Sequence, residues 1–295
     1  MESIFFTSYE INSYTTLIVG LAGENCVLFE GNERALLFDG LTGAGSLKAF
    51  VRELTDKPVF MVLSHAHPDH EGAVFEYGEC FMHPDDIGLL YSDFSAGVER
   101  RLDFVNTEFP YAPPHRTKAA REDIVPPCPV KTWPVYDGDL FDLGSVKLEV
   151  IHVPGHTRGS IVLLERESHS LYSADAINPN TLLCLPGSTT IEEYYASVQH
   201  LKEYQDAFDR VYTGHAADPV PAAIVDDALA LCRRILERKD DAVEEMGNFG
   251  PCLRASAVTE DFRPVCGGYS NICYLEDRVF GKKSSVVLTG KPFIG

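Results

Sequence analysis

The chain has 295 residues, 45% of them hydrophobic and 23% charged, and a formal net charge of −19. That length and composition describe an ordinary globular protein with an ample core, in one large domain or two small ones. The acidic balance argues against nucleic acid as a partner, and neither a signal peptide at the N-terminus nor an apolar run of membrane-spanning length is expected.

The first third reads as strands: "TTLIVG", "NCVLFEG" and "RALLFDG" are rich in β-branched and aromatic residues and punctuated by Gly and Asn. In "GAGSLKAFVREL", Leu47, Phe50, Val51 and Leu54 fall at helical spacing. "PVFMVLS" is a continuous apolar run, expected to be a buried central strand. It ends at "HAHPDH". A short helix "AVFEYG", a strand "ECFMH" and helices in "PDDIGLLY" and "AGVERRLDFV" follow. Residues 107–127 are proline-rich and read as an irregular insertion that carries Phe109, Tyr111 and His115.

Strands resume at "VKTWPV", "VKLEVIHV", "SIVLLE" and "HSLYSA", the last two as a hairpin. A helix is expected at "TTIEEYYASVQHLKEY", with Thr190 and Glu193 as a capping box. "RVYTG" is a short strand, and Asp218 and Pro219 fit the N-cap and first position of a helix striped by Ile224, Ala228, Leu231 and Ile235. The domain expectation is a catalytic body over residues 1–240 and a C-terminal extension over 241–295. In that extension "RKDDAVEEMGNFGP" reads as a joint, "LRASAVTEDF" and "SNICYLEDRVFGK" as strands. Tyr269 and Asn271 place it either over the site or in a homodimer contact.

Polar residues recur at the ends of apolar strands. His65, His67, Asp69 and His70 follow one; His156, Asp175 and His215 each follow another. Packing does not account for three histidines and an aspartate in six residues, because each buried polar group needs its own partner. Metal ligation does: imidazole and carboxylate are the donors of zinc sites. His65 and His67 can point one way from an extended segment. Asp69 and His70, past the bend at Pro68, can open the next helix, so one turn can feed two neighbouring metal positions. His83, His115, His152, His169 and His200 read as structural. Eight cysteines form no CxxC pair and, with no export signal expected, point to reduced thiols in a cytoplasm.

With these residues quoted, the sequence resembles the metallo-β-lactamase superfamily, whose signature is H-x-H-x-D-H after a strand. The other ligand positions are matched by Gly155-His156-Thr157, by Asp175 and by Gly214-His215, across roughly residues 15–235. One departure is Ala174, where the family usually has glycine. The resemblance implies an α+β fold, a four-layer αββα sandwich of two mixed sheets flanked by helices. It implies that His65, His67 and His156 hold one metal, that Asp69, His70 and His215 hold a second, and that Asp175 bridges them. Asp39 would support the ligands from behind.

The ions expected are two divalent metals, Zn2+ first, with Fe or Mn as alternatives. Two such ions can share a hydroxide that attacks an ester-like bond, with Asp69 or a metal-bound water passing a proton to the leaving group. The function implied is thus a glyoxalase II-like hydrolase of a thioester, a lactone or a similar bond in a small molecule. An iron-dependent redox enzyme resembling sulfur dioxygenases is the alternative, ahead of a phosphodiesterase or a β-lactamase. Asn178, Asn180, Tyr194 and Tyr195 are candidates to line a substrate pocket.

Overall fold

The computed structural model describes residues 1, 3–107, 118–247, 250–260 and 263–281. Phe109, Tyr111 and His115 lie outside them.

Seven strands form the first sheet in chain order: β1 (Thr7–Asn12), β2 (Thr15–Val19), β3 (Asn25–Glu30), β4 (Ala35–Phe38), β5 (Val59–Val62), β6 (Glu79–Met82) and β7 (Lys131–Pro134). The first four pair antiparallel through short turns. From β4 to β7 the pairing is parallel, which requires longer crossovers. These carry α1 (Leu47–Leu54), α2 (Val74–Tyr77), α3 (Ile87–Leu90) and α4 (Val98–Asn106). Helix α1 starts where the Ser46 hydroxyl accepts from Ala49 N–H, and it buries Leu47, Phe50 and Val51, the stripe its sequence presents.

The second sheet has the order β14 (Val220–Pro221), β13 (Arg210–Thr213), β11 (Ser170–Ala174), β10 (Ile161–Glu165), β9 (Lys147–His152), β8 (Leu140–Asp142). Only β11 and β13 pair parallel, and α5 (Ile191–Lys202) is in the crossover between them. The Thr190–Glu193 capping box opens α5, as its sequence predicts. Helix α6 (Ile224–Leu236) lies beside α5.

Three apolar clusters build four layers. Leu17, Phe29, Leu36, Phe38 and Val62 of the first sheet meet Leu148, Val150, Ile161, Leu163 and Tyr172 of the second. Leu28, Leu37 and Met61 face the α1–α2 side, and Val162, Leu164 and Val211 face α5 and α6. Strands β4 and β10 are buried along their whole length, which is why they read as unbroken apolar runs. This is the expected αββα sandwich.

A third sheet has the order β12 (Thr181–Leu183), β17 (Ile272–Tyr274), β16 (Gly250–Arg254), β15 (Val243–Gly247). Its first strand belongs to the body and the other three to the C-terminal segment, so the segment is bound into the body through the parallel β12–β17 pairing. Two local expectations are corrected. The stretch read as a joint contains β15. Asp218 and Pro219 do not cap α6: residues 220–221 pair with β13 instead, and the helix begins after Ala223 with no side-chain cap.

Candidate metal centre

Strands β4 and β5 run parallel, and β9, β11 and β13 also share one direction, because β9 and β11 both oppose β10. Their C-terminal ends deliver Asp39, His65 with the residues up to His70, His156, Asp175 and His215 to one edge of the sandwich. The turns there are tight. A Cβ on Gly214 would meet Asp175 Oδ1 at 2.5 Å and His70 Cε1 at 3.0 Å, so glycine lets this backbone pass behind the carboxylate. Asp39 and Ala174 sit in the left-handed region, with φ of 72° and 44°. Non-glycine residues rarely adopt it outside turns and functional sites.

The structure brings all seven sequence-predicted residues together. Donor atoms of His65, His67 and His156 lie within 4.8 Å of one another, as do those of Asp69, His70, Asp175 and His215. The carboxylate of Asp175 touches both groups: Oδ2 is 3.6 Å from His156 Nε2, 3.6 Å from His70 Nε2 and 3.2 Å from His215 Nε2. Asp69 Oδ2 is 3.4 Å from His70 Nε2 and 3.3 Å from His215 Nε2. Six of the seven are buried; the His215 side chain is 34% exposed and marks the open side.

The hydrogen bonds around the rings select tautomers. The Ser64 hydroxyl donates to Asp39 Oδ2 at 2.7 Å, so the 2.9 Å contact between Ser64 Oγ and His65 Nδ1 takes its proton from the imidazole. His70 Nδ1 donates to Asp39 Oδ2 at 2.9 Å, His156 Nδ1 to the Leu182 carbonyl at 2.8 Å, and His67 Nε2 to the Pro186 carbonyl at 3.1 Å. In the neutral rings this leaves bare His65 Nε2, His67 Nδ1, His70 Nε2 and His156 Nε2. His67 Nδ1 and His156 Nε2 then face each other at 2.8 Å. His65 Nε2 and His70 Nε2 are buried with no hydrogen-bond partner among the described residues. Bare, converging, buried nitrogens beside carboxylates fit divalent cations, with the other ring nitrogen oriented by a carbonyl or carboxylate as metal-binding histidines require.

Burial, helped by the neighbouring imidazoles, pushes the His65 pKa well down and that of His156 down to about 4. At His70 burial acts in the same direction, but Asp69 and Asp39 outweigh it and push the pKa well up. Likewise Asp175 and Asp69 outweigh burial at His215 and raise it to about 10. Burial would raise Asp69 and Asp175, but His70 and His215 hold both well below the usual carboxylate range. The two groups therefore differ in kind: one is neutral imidazoles, the other charge-paired.

Sequence reasoning missed Asp86. Its Oδ2 accepts from Ala66 N–H at 3.1 Å and from the Thr157 hydroxyl at 2.7 Å, and its Oδ1 accepts from Gly159 N–H at 2.7 Å. It ties the turn bearing His67 to the turn bearing His156. In the sequence it is one of two adjacent acidic residues in "HPDD", after a strand, with nothing to mark it. Of the four substrate candidates, Asn178 touches the cluster and the other three take up contacts behind or beside it. Tyr194 is fully buried, with its ring against Gly155 and its hydroxyl donating to the Ala176 carbonyl at 2.9 Å. It therefore supports the backbones beside His156 and Asp175 from behind and has no surface for a substrate. The Tyr195 hydroxyl accepts from Arg233 on α6, away from the cluster. Asn178 Nδ2 donates to Asp175 Oδ1 at 3.3 Å, and Asn180 Oδ1 accepts from Arg254 at 2.8 Å. A third group, His83, Asp85 and His152, is also close-set, but its two rings stack at 3.8 Å with planes 12° apart. Their lone pairs run side by side and do not converge on one ion.

A family model described as the Metallo-beta-lactamase superfamily matches residues 19–243. A Gallus gallus protein named acyl-coenzyme A thioesterase MBLAC2 is 30% identical over 203 residues, covering 65% of this chain and 72% of that protein. Its Homo sapiens counterpart is 28% identical over 206 residues, with the same coverage. Among solved structures, the sec-alkylsulfatase Pisa1 from Pseudomonas sp. superposes with a TM-score of 0.59 at 18% identity, over 79% of this chain and 42% of that one. DIM-1 metallo-beta-lactamase superposes with a TM-score of 0.58 at 14% identity, over 78% and 97%. At these identities the structural likeness shows the fold.

Proposed function

The chain belongs to the metallo-β-lactamase superfamily, and from that premise we propose that it hydrolyses the thioester of a small acyl molecule with two divalent metal ions. His65, His67 and His156 would hold one ion and Asp69, His70 and His215 the other, with Asp175 standing between the two groups. The observation that carries this reading is the Asp175 carboxylate, one oxygen of which lies within 3.6 Å of nitrogens from both groups. A set of nitrogen and carboxylate donors suits zinc. Bound there, such ions supply a water acidic enough to act as a nucleophile near neutral pH and a Lewis acid for the carbonyl.

The chain's own residues do the rest. Asp39, Leu182 and Pro186 hold the rings in the tautomers that leave the inward nitrogens bare. Buried Asp69 lies beside His215 at the open side of the cluster, where its carboxylate would relay a proton from the attacking water to the leaving group. A thiolate leaves without obligatory protonation, so one carboxylate is enough acid–base equipment for a thioester. The two relatives named acyl-coenzyme A thioesterases support the thioester over the lactone. Eight free thiols suit a reducing compartment, the cytoplasm.

The test is elemental analysis of the purified protein, followed by rates on acyl-coenzyme A thioesters, lactones, β-lactams and phosphodiesters. Two zinc ions per chain and thiol release from the thioesters are expected. One iron per chain with no thioester cleavage would sink the reading.

A further inference from the structure

We propose that the C-terminal strands β15–β17 and the turn after them position the metal centre by holding the carbonyls that orient His67 and His156. The proposal rests on the reading that these two histidines, with His65, bind an ion.

The carbonyls in question belong to one segment, residues 178–188. Leu182 O accepts from His156 Nδ1 and Pro186 O from His67 Nε2. The Ser188 hydroxyl donates to the His156 carbonyl at 2.8 Å, and Asn178 reaches Asp175. This segment touches three of the seven cluster residues, and β12 lies within it.

The C-terminal residues grip it along its length. Strand β17 sets the register of β12, pairing Leu182 with Cys273 and Leu183 with Tyr274. Buried Asn271 donates its backbone N–H to Pro179 O and accepts from Thr181 N–H, both at 2.9 Å. The side chain of Asn271 in turn bonds Ser256 in both directions, which anchors it to the chain beyond β16. Arg254 on β16 spends two donors on Glu245 of β15 and a third on Asn180 Oδ1. Arg278, just past β17, donates to the Leu185 carbonyl at 3.0 Å, one residue before the carbonyl that orients His67. Strand β12 is a three-residue edge strand joined to its sheet through β17, and so short a parallel pairing is weak alone. These side-chain clamps define where the Leu182 and Pro186 carbonyls stand, and hence where the inward nitrogens of His156 and His67 point.

Arg254 and Arg278 touch none of the reacting atoms; they are positioning residues. Removing a group bonded directly to a ligand typically weakens metal binding about 10–100-fold, and a support one step further out should fall at the lower end of that range. The experiment uses the full chain loaded with cobalt, whose visible absorption reports ligand geometry, and measures metal affinity by competition with a chromophoric chelator. Arg278→Ala and Asn180→Ala should each weaken the ion at His65, His67 and His156 by about tenfold and shift the cobalt band. Arg278→Lys, which keeps a donor, should restore most of both. The melting temperature of the metal-free protein should hardly move in the same variants, since a purely structural role would show there and leave the cobalt band alone. His65→Ala is the control for the ligand assignment. If it leaves the parent spectrum unchanged, that assignment fails and the positioning role with it. If the spectrum depends on His65 but Arg278→Ala and Asn180→Ala both leave affinity and band untouched, the positioning role alone is overturned.

Discussion

One oxygen of Asp39 accepts from His70 Nδ1 at 2.9 Å and from the Ser64 hydroxyl at 2.7 Å, and that hydroxyl receives the proton of His65 Nδ1. A single buried carboxylate therefore orients one histidine from each of the two groups. It does so from a left-handed backbone conformation that no glycine relieves. Asp39→Asn would turn a site of pure acceptors into one that also presents an NH2. Metal affinity at both positions is expected to fall about 10–100-fold, measured by chelator competition. Unchanged affinity at both would reduce Asp39 to a turn residue.

Asp175 is the group the two-ion reading can least spare. Asp175→Ala removes the oxygen shared between the groups and leaves His215 with Asp69 alone and His70 with Asp69 and Asp39. Metal content should fall to one ion per chain or fewer and turnover should be lost with it, both read on the same preparation. Full metal content with full turnover would refute the shared-oxygen role.

Ala174 carries a φ of 44°, next to a register shift in the β11–β13 pairing that turns Asp175 toward the cluster. A Cβ in this conformation costs about 1–2 kcal/mol, and glycine gives part of that back as unfolded-state entropy. Ala174→Gly is expected to stabilise the fold by about 0.5–1 kcal/mol with metal content unchanged, checked by chemical denaturation. A loss of stability would show that the strand around Ala174 needs its methyl group for packing more than it needs relief at φ.

Gly214 gives the opposite outcome. Its added methyl would sit 2.5 Å from Asp175 Oδ1 and 3.0 Å from His70 Cε1. Gly214→Ala must push the carboxylate aside, so metal occupancy and turnover should drop more than stability does. Overpacking of this kind costs about 1–3 kcal/mol. Elemental analysis beside a melting curve separates the two effects.

What was legible in the sequence is what side chains and hydropathy carry. His65 to His70, His156, Asp175 and His215 stand out because each polar residue follows an apolar strand, and β4, β5, β10 and β11 are apolar enough to be read directly. The supports were not legible for a physical reason. Leu182 and Pro186 act through backbone carbonyls, which any residue supplies, and Asp86 looks like any acidic residue in a turn. Strands β12 and β17 have three residues each and pair across a long stretch of chain. Their pairing leaves no local periodicity. Half-exposed β1 lacks alternation, so its sequence does not read as a strand.

The electrostatics of the two groups imply that they take up metal with different pH dependence. In the metal-free protein burial holds His65 well below the usual histidine range and brings His156 down to about 4, so near neutral pH their nitrogens are already free and no proton must leave. His70 titrates well above the usual histidine range and His215 at about 10, so near neutral pH both hold protons that a metal must displace. The sign follows: lowering the pH from 8 toward 6 should barely affect the first ion but should weaken the second, with roughly tenfold loss per unit for each proton displaced. Calorimetry in buffers of different ionisation enthalpy would count the protons released per ion. Equal release at both steps would contradict a neutral group beside a charge-paired one.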